Sequence, residues 1–133
     1  MADDNISIIS HVSLGTNNHE QAVKFYDAVL PTLGCKKVME FPGAAAYGKE
    51  FPEFWVQLPR DGNTASTGNG SHLGFIAPTK DAVHAFHEAA LAAGGVNDGD
   101  PGPRPDYGEA YYGCFILDLD GHQIEAIYWD MSK

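Results

Sequence analysis

Gly121-His122-Gln123-Ile124-Glu125-Ala126-Ile127 is the stretch that decides how this chain is read. It follows Asp118-Leu119-Asp120-Gly121, which has the composition of a turn, and it is itself apolar enough for a short strand. Alternate side chains of a strand share a face, so Ile124 and Ala126 point one way and Glu125 and Ile127 the other. A carboxylate buried in such a segment loses its hydration and needs a cation, a metal or a proton to offset the loss. Its partner must come from elsewhere in the chain.

Working back from this strand, Tyr111 to Leu117 reads as another strand, preceded by a Pro/Gly-rich connecting stretch from Asp98 to Gly108. Before that, Thr79 caps a helix with Ala82, Val83, Phe86, Ala89, Ala90 and Ala93 on one side, and Gly94-Gly95 ends it. His72 to Ala77 is a strand. Pro59 to Ser71 has no hydrophobic period and is a loop. The first half repeats the order: a strand from Ile6 to Gly15, then a helix capped by Asn17 or Asn18. Ala22, Phe25, Tyr26, Val29 and Leu33 form the apolar side of that helix. Pro31 breaks it near Leu30. Strands follow at Cys35 to Phe41, Ala44 to Gly48 and Phe54 to Leu58.

The halves echo each other. Ala22-Val23-Lys24-Phe25-Tyr26 with Gly34 matches Ala82-Val83-His84-Ala85-Phe86 with Gly94, and His11-Val12 matches His72-Leu73. Val56-Gln57-Leu58 is read as the echo of Ile124-Glu125-Ala126. The pattern predicts an α+β fold of two tandem βαβββ modules, over about residues 6–59 and 71–130, joined by a linker over about 60–70. The length fits one domain, residues 1–133.

Composition narrows the function. A formal charge of −10 and the absence of any basic run exclude nucleic acid as the expected partner. No apolar run is long enough to cross a bilayer, so no membrane is expected. Met1 to Ile6 is polar and acidic, unlike a secretory signal, which predicts a cytoplasmic protein. Cys35 and Cys114 are too few for a disulfide framework and read as packed thiols.

The two-residue period separates two faces. Val12, Leu14, Leu73, Phe75, Val56, Leu58, Ile124 and Ala126 pack under the helices. His11, His72, Gln57 and Glu125 lie on the other side, with Ser13 and Gly74 leaving room. If the sheets curl, these four line one concave pocket. Two neutral imidazoles and a carboxylate suit a divalent transition metal, with Gln57 either a fourth oxygen or pocket lining. Against this stand simpler readings: His11 and His72 as core histidines bonded to backbone, and Glu125 paired with a lysine or arginine. Trp55, Tyr107, Tyr111 and Tyr112 form either an aromatic wall for a substrate or part of the core. His84 and His87 read as a solvated helix face. His19 and His122 receive no role, and Asp118 to Gly121 is a turn, lacking the glutamate of a calcium loop.

His11-Val12-Ser13-Leu14, Ala22 to Leu33 with Phe25-Tyr26, His72-Leu73-Gly74-Phe75 and Phe115 to Ala126 together resemble the vicinal oxygen chelate superfamily. That superfamily includes glyoxalase I, bleomycin-binding proteins and extradiol dioxygenases. The resemblance covers Ile8 to Trp129. It implies paired βαβββ modules, with curled sheets enclosing a metal and substrate pocket. It implies metal ligands His11, His72 and Glu125, with Glu125 also the catalytic proton shuttle, and a divalent ion such as Ni, Zn, Fe, Mn or Co. In glyoxalase I a glutamate on the strand resembled by Phe54 to Leu58 is the fourth ligand; here Gln57 is read at that place, a weaker ligand and no base. The expected activity is a lyase or isomerase acting on a small oxygenated or thiol-conjugated substrate through a metal-stabilised enediolate. A glutathione conjugate would need Arg60, Arg104, Lys36 or Lys37 for its carboxylates. The alternatives are a metal-free drug-sequestering protein of the bleomycin-resistance type and an Fe(II) extradiol-type dioxygenase. A homodimer is implied, since such proteins often build the pocket between two chains.

Overall fold

The computed structural model describes residues 7–133. In chain order the elements are β1 (Val12–Gly15), α1 (His19–Val29), β2 (Lys36–Phe41), β3 (Ala44–Gly48), β4 (Phe54–Gln57), β5 (His72–Ile76), α2 (Lys80–Ala92), β6 (Val96–Pro103), β7 (Tyr111–Leu117) and β8 (Gln123–Trp129). They form two four-stranded sheets of identical order, β1-β4-β3-β2 and β5-β8-β7-β6. In each, the first strand pairs in parallel with the last and the other neighbours are antiparallel. This is the α+β arrangement of tandem βαβββ modules. Both sheets remain open rather than closing into a barrel.

Local chemistry explains the boundaries. Asn18 caps α1, its side-chain oxygen accepting from the Gln21 amide, and Thr79 does the same for α2 through the Ala82 amide. Pro31 ends α1 in a 3-10 turn over Leu30–Leu33, and Gly34 leaves it with φ +82°, a left-handed conformation that glycine adopts without cost. The helices and the inner faces of both sheets share one core. Phe25, Tyr26, Val29, Phe54 and Val56 from module one meet Val83, Phe86, Ile116, Ile124 and Ala126 from module two.

The turn before β8 ties the modules together. Tyr26 Oη donates to Asp118 Oδ2 at 2.5 Å, the Asn17 amide donates to Asp120 Oδ1, and His122 Nε2 donates to the Gly15 carbonyl at 2.7 Å. Asp118 Oδ1 also accepts the amides of Asp120 and His122, which shapes the turn. His122, given no role from sequence, is a buried joint between modules.

Three expectations are corrected. β1 begins at Val12 rather than Ile6, so His11 stands just before the strand; Ile6 itself lies outside the described residues. The Asp98-to-Gly108 stretch is not simply a connection, because β6 runs through Val96–Pro103. It is an edge strand with register shifts between Asn97 and Gly99 and between Gly99 and Gly102. Edges and bulges are where glycine and proline are tolerated, which is why the segment shows no strand period. Finally, His84 and His87 are not merely solvated. His87 is buried and donates to Asn97 Oδ1 on β6 at 2.9 Å, and His84 Nε2 lies 2.6 Å from the Tyr112 hydroxyl.

Candidate active site

The face assignment holds except at Leu58, which was expected under the helices but lies beyond the end of β4 and is 48% exposed. Phe54, Val56, Ile124 and Ala126 are in the core, with Val12, Leu14, Leu73 and Phe75 packed against it. Glu125 therefore faces the concave side of the second sheet. There it is buried at 5% exposure, opposite Gly74 on β5 and Phe115 on β7. Its two oxygens have separate partners. Oε1 lies 3.4 Å from His72 Nε2, and Oε2 accepts from Tyr111 Oη at 2.5 Å. Among the described residues the only ion-pair partner of Glu125 is His72, a half-exposed imidazole.

Glycines make this geometry possible. A Cβ on Gly74 would lie 3.3 Å from Glu125 Oε1 and crowd the carboxylate. One on Gly113 would stand 2.5 Å from the Tyr111 hydroxyl, so the ring reaches Glu125 only by crossing a residue without a side chain. Burial and the Glu125 carboxylate both push the Tyr111 hydroxyl pKa well above its usual value, so Tyr111 is a proton donor to Glu125 and not a base.

These groups line a cleft of about 580 Å³ with Asp98, Tyr107, Phe115, Gln123, Ile127 and Trp129. Tyr111 is the hub of its aromatic wall, edge-to-face with Tyr107 at 5.1 Å and with Trp129 at 5.5 Å. Trp129 is a member of this wall that the sequence reading did not single out; its place in period with Glu125 and Ile127 on β8 was the available signal. The other expected residues lie elsewhere. Tyr112 faces α2, its hydroxyl at His84 and its ring under Lys80 Nζ. Arg104 is a strut. Its guanidinium donates to the carbonyls of Asp100, Gly102 and Gly113 and stacks on Phe115, 5.1 Å from the ring centroid.

His11, Trp55 and Gln57 belong to the first module, and none lines the cleft. His11 is exposed, with Nδ1 3.4 Å from Ser10 Oγ. Trp55 lies parallel to Phe41. Gln57 pairs with Gly15 and Ala44. Among the described residues of one chain, no three His, Cys, Asp or Glu side chains converge as a metal cluster. The cleft nonetheless holds two donors that fit one ion. Two ligands each about 2.1 Å from a metal, a tetrahedral angle apart, lie about 3.4 Å from one another. That is the separation of His72 Nε2 and Glu125 Oε1. Tyr111 supplies a hydrogen bond to the other carboxylate oxygen, of the kind that would fix Glu125 were it to hold an ion.

No helix among the described residues is long and apolar enough to cross a membrane. The chain is similar to a probable lactoylglutathione lyase of Vibrio cholerae, at 28% identity over 90% of this chain and 88% of that protein. It is also similar to a glyoxalase/bleomycin resistance protein of known structure from Albidiferax ferrireducens. That likeness has 36% identity and a TM-score of 0.84 over 92% of this chain and 98% of the other. A glyoxalase I variant from Zea mays shares the fold at 23% identity and a TM-score of 0.66, with 89% of this chain matching 44% of that one. The profile of the glyoxalase/bleomycin resistance protein/dioxygenase superfamily matches residues 8–126, and the chain belongs to that superfamily.

Proposed function

We propose that the protein is a metal-dependent enzyme of the glyoxalase I kind, acting on a small oxygenated or thiol-conjugated substrate. The observation that carries this is the paired geometry at Glu125: one oxygen held by Tyr111, the other 3.4 Å from an imidazole nitrogen, at the floor of an aromatic cleft. His72 and Glu125 would hold a divalent ion, with His11 as third ligand. Because His11 does not share the cleft within one chain, the third ligand is assigned to a second copy, and the working unit is a homodimer. When bound, the ion would polarise a substrate carbonyl and its neighbouring hydroxyl oxygen. Tyr107, Tyr111, Phe115 and Trp129 would orient the substrate and exclude water. Glu125 Oε1 would be the atom that takes up and returns a proton, while the Tyr111 bond keeps Oε2 out of that role.

Calorimetric titration with Ni²⁺ and Zn²⁺, followed by an isomerisation assay on hemithioacetals and α-hydroxyketones, tests the reading. Micromolar or tighter metal binding with metal-dependent turnover supports it. No heat with either ion, and tight binding of aromatic compounds without turnover, would favour the second reading, a metal-free binding protein. That reading has its own support: among the described residues only two donors meet within one chain, and the cleft is lined largely by aromatic rings.

A further inference from the structure

The strand registers align the modules residue by residue. β1 pairs with β4 so that Ser13 stands opposite Trp55 and Gly15 opposite Gln57. β5 pairs with β8 so that Gly74 stands opposite Glu125 and Ile76 opposite Ile127. Ser13 and Gly74 each lie two residues beyond the equivalent histidines His11 and His72. The counterpart of Glu125 in the first module is therefore Trp55, and the counterpart of Gln57 is Ile127. The sequence echo that set Gln57 against Glu125 is out of step by two residues.

Trp55 presents its ring to the concave side. Its neighbours Phe54 and Val56 are both in the core, whereas Trp55 itself is half-buried on the opposite face. The residues beside it across the sheet, Ser13 and Ala46, carry only a hydroxymethyl and a methyl group. The ring of Phe41, itself 51% exposed, lies parallel to it at 8°, with centroids 6.3 Å apart. An indole has an N–H donor and no lone pair in the ring plane, so it cannot ligate an ion as a carboxylate does.

We infer that Trp55 is a specificity-determining residue: it fills the position of a fourth ligand with an aromatic platform, and with Phe41 it selects a flat, ring-bearing substrate that chelates through two oxygens. This rests on the shared centre proposed above. Three protein donors leave more of the ion's positions open than four do, which suits a chelating substrate. The cleft beside His72 and Glu125 is itself aromatic, so a ring held at a centre shared between two copies would meet rings on both sides if the partner's first sheet faces the cleft.

The test is calorimetry with Ni²⁺ on the wild type and the Trp55→Glu, Gln57→Glu and His72→Ala variants. It is then repeated with 2-hydroxyacetophenone and hydroxyacetone, two α-hydroxyketones that differ in the ring, on the wild type, Trp55→Ala and Trp55→Phe. Trp55→Glu should tighten Ni²⁺ at least about tenfold by restoring a fourth donor, and Gln57→Glu should change it less than about twofold. The ring compound should bind the wild type about tenfold better than the aliphatic one. Trp55→Phe should keep most of that preference and Trp55→Ala should lose it. Trp55 packs outside the core, so these variants should melt close to the wild type. No gain from Trp55→Glu, an equal gain from Gln57→Glu, or a ring preference that survives Trp55→Ala would overturn the inference. Loss of Ni²⁺ in His72→Ala alongside any of these results would leave the shared centre standing; unchanged Ni²⁺ affinity in His72→Ala would remove the centre itself.

Discussion

Glu125 is the residue on which the site turns, and its partners were only partly legible. The two-residue period placed it on the concave face with room at Gly74, and that is where it lies, 5% exposed. The period could not show that Tyr111, expected in an aromatic wall, also bonds Glu125 from the neighbouring strand, four residues along from Phe115, the residue paired with Glu125. That contact depends on the β7–β8 register and on the absence of a side chain at Gly113. Replacing Tyr111 by Phe removes the one hydroxyl donor to a buried carboxylate. It should cost about 1–3 kcal/mol of stability, measured by urea unfolding, and weaken metal binding about tenfold or more. Gly113→Ala should reproduce the loss of metal affinity although it touches neither ligand side chain, because its methyl would meet both the tyrosine hydroxyl and the Ala126 carbonyl beside Glu125. A Gly113→Ala variant with wild-type affinity would show that the Tyr111 bond does not position Glu125.

At the scale of elements, capped helices and alternating strands were readable, and β6 was not. Val96 to Pro103 has two prolines, two glycines and three polar residues, with no period to find. What makes it a strand is tertiary: the bonds to β7, the His87–Asn97 bond from α2, and Arg104 bonded to three carbonyls, one of them on β7 itself. Lysine has the charge but not the planar fork. Arg104→Lys should therefore expose the β6 amides to faster hydrogen exchange and cost about 1–3 kcal/mol, while α1 and the first sheet keep their protection. Uniform loss of protection across both sheets would place Arg104 in the global stability of the fold and not in that of one edge.

The whole molecule is two similar halves sharing a core and joined at the Asp118–His122 turn. Repetition was visible in the sequence at the helices and at His11 and His72. The alignment of β4 with β8 was not, since the segments between helix and last strand differ in length between the halves, and only the parallel pairings fix it. The shared core also sets a pH limit. Burial raises the Cys114 thiol to about 11 from a usual value of 9.0, and Tyr26, Tyr47 and Tyr111 are raised as well. The folded chain then keeps protons that the unfolded chain releases. This contribution is complete below about pH 9 and is lost as pH rises toward 11. Urea unfolding should show stability falling across that range, with Cys114→Ala recovering about 1–3 kcal/mol of the fall. An equally steep fall in the variant would assign the loss to the tyrosines alone.

A working centre of the proposed dimer takes His72 and Glu125 from one copy and His11 from another. Mixing separately purified His11→Ala and His72→Ala variants, allowing exchange, and counting tightly bound Ni²⁺ tests this. Each variant alone should bind none tightly. Random pairing places an intact His11 opposite an intact His72 at one site in half the dimers, so the mixture should recover about a quarter of the wild-type capacity. Recovery of nothing on mixing, or full binding by either variant alone, would contradict the shared centre.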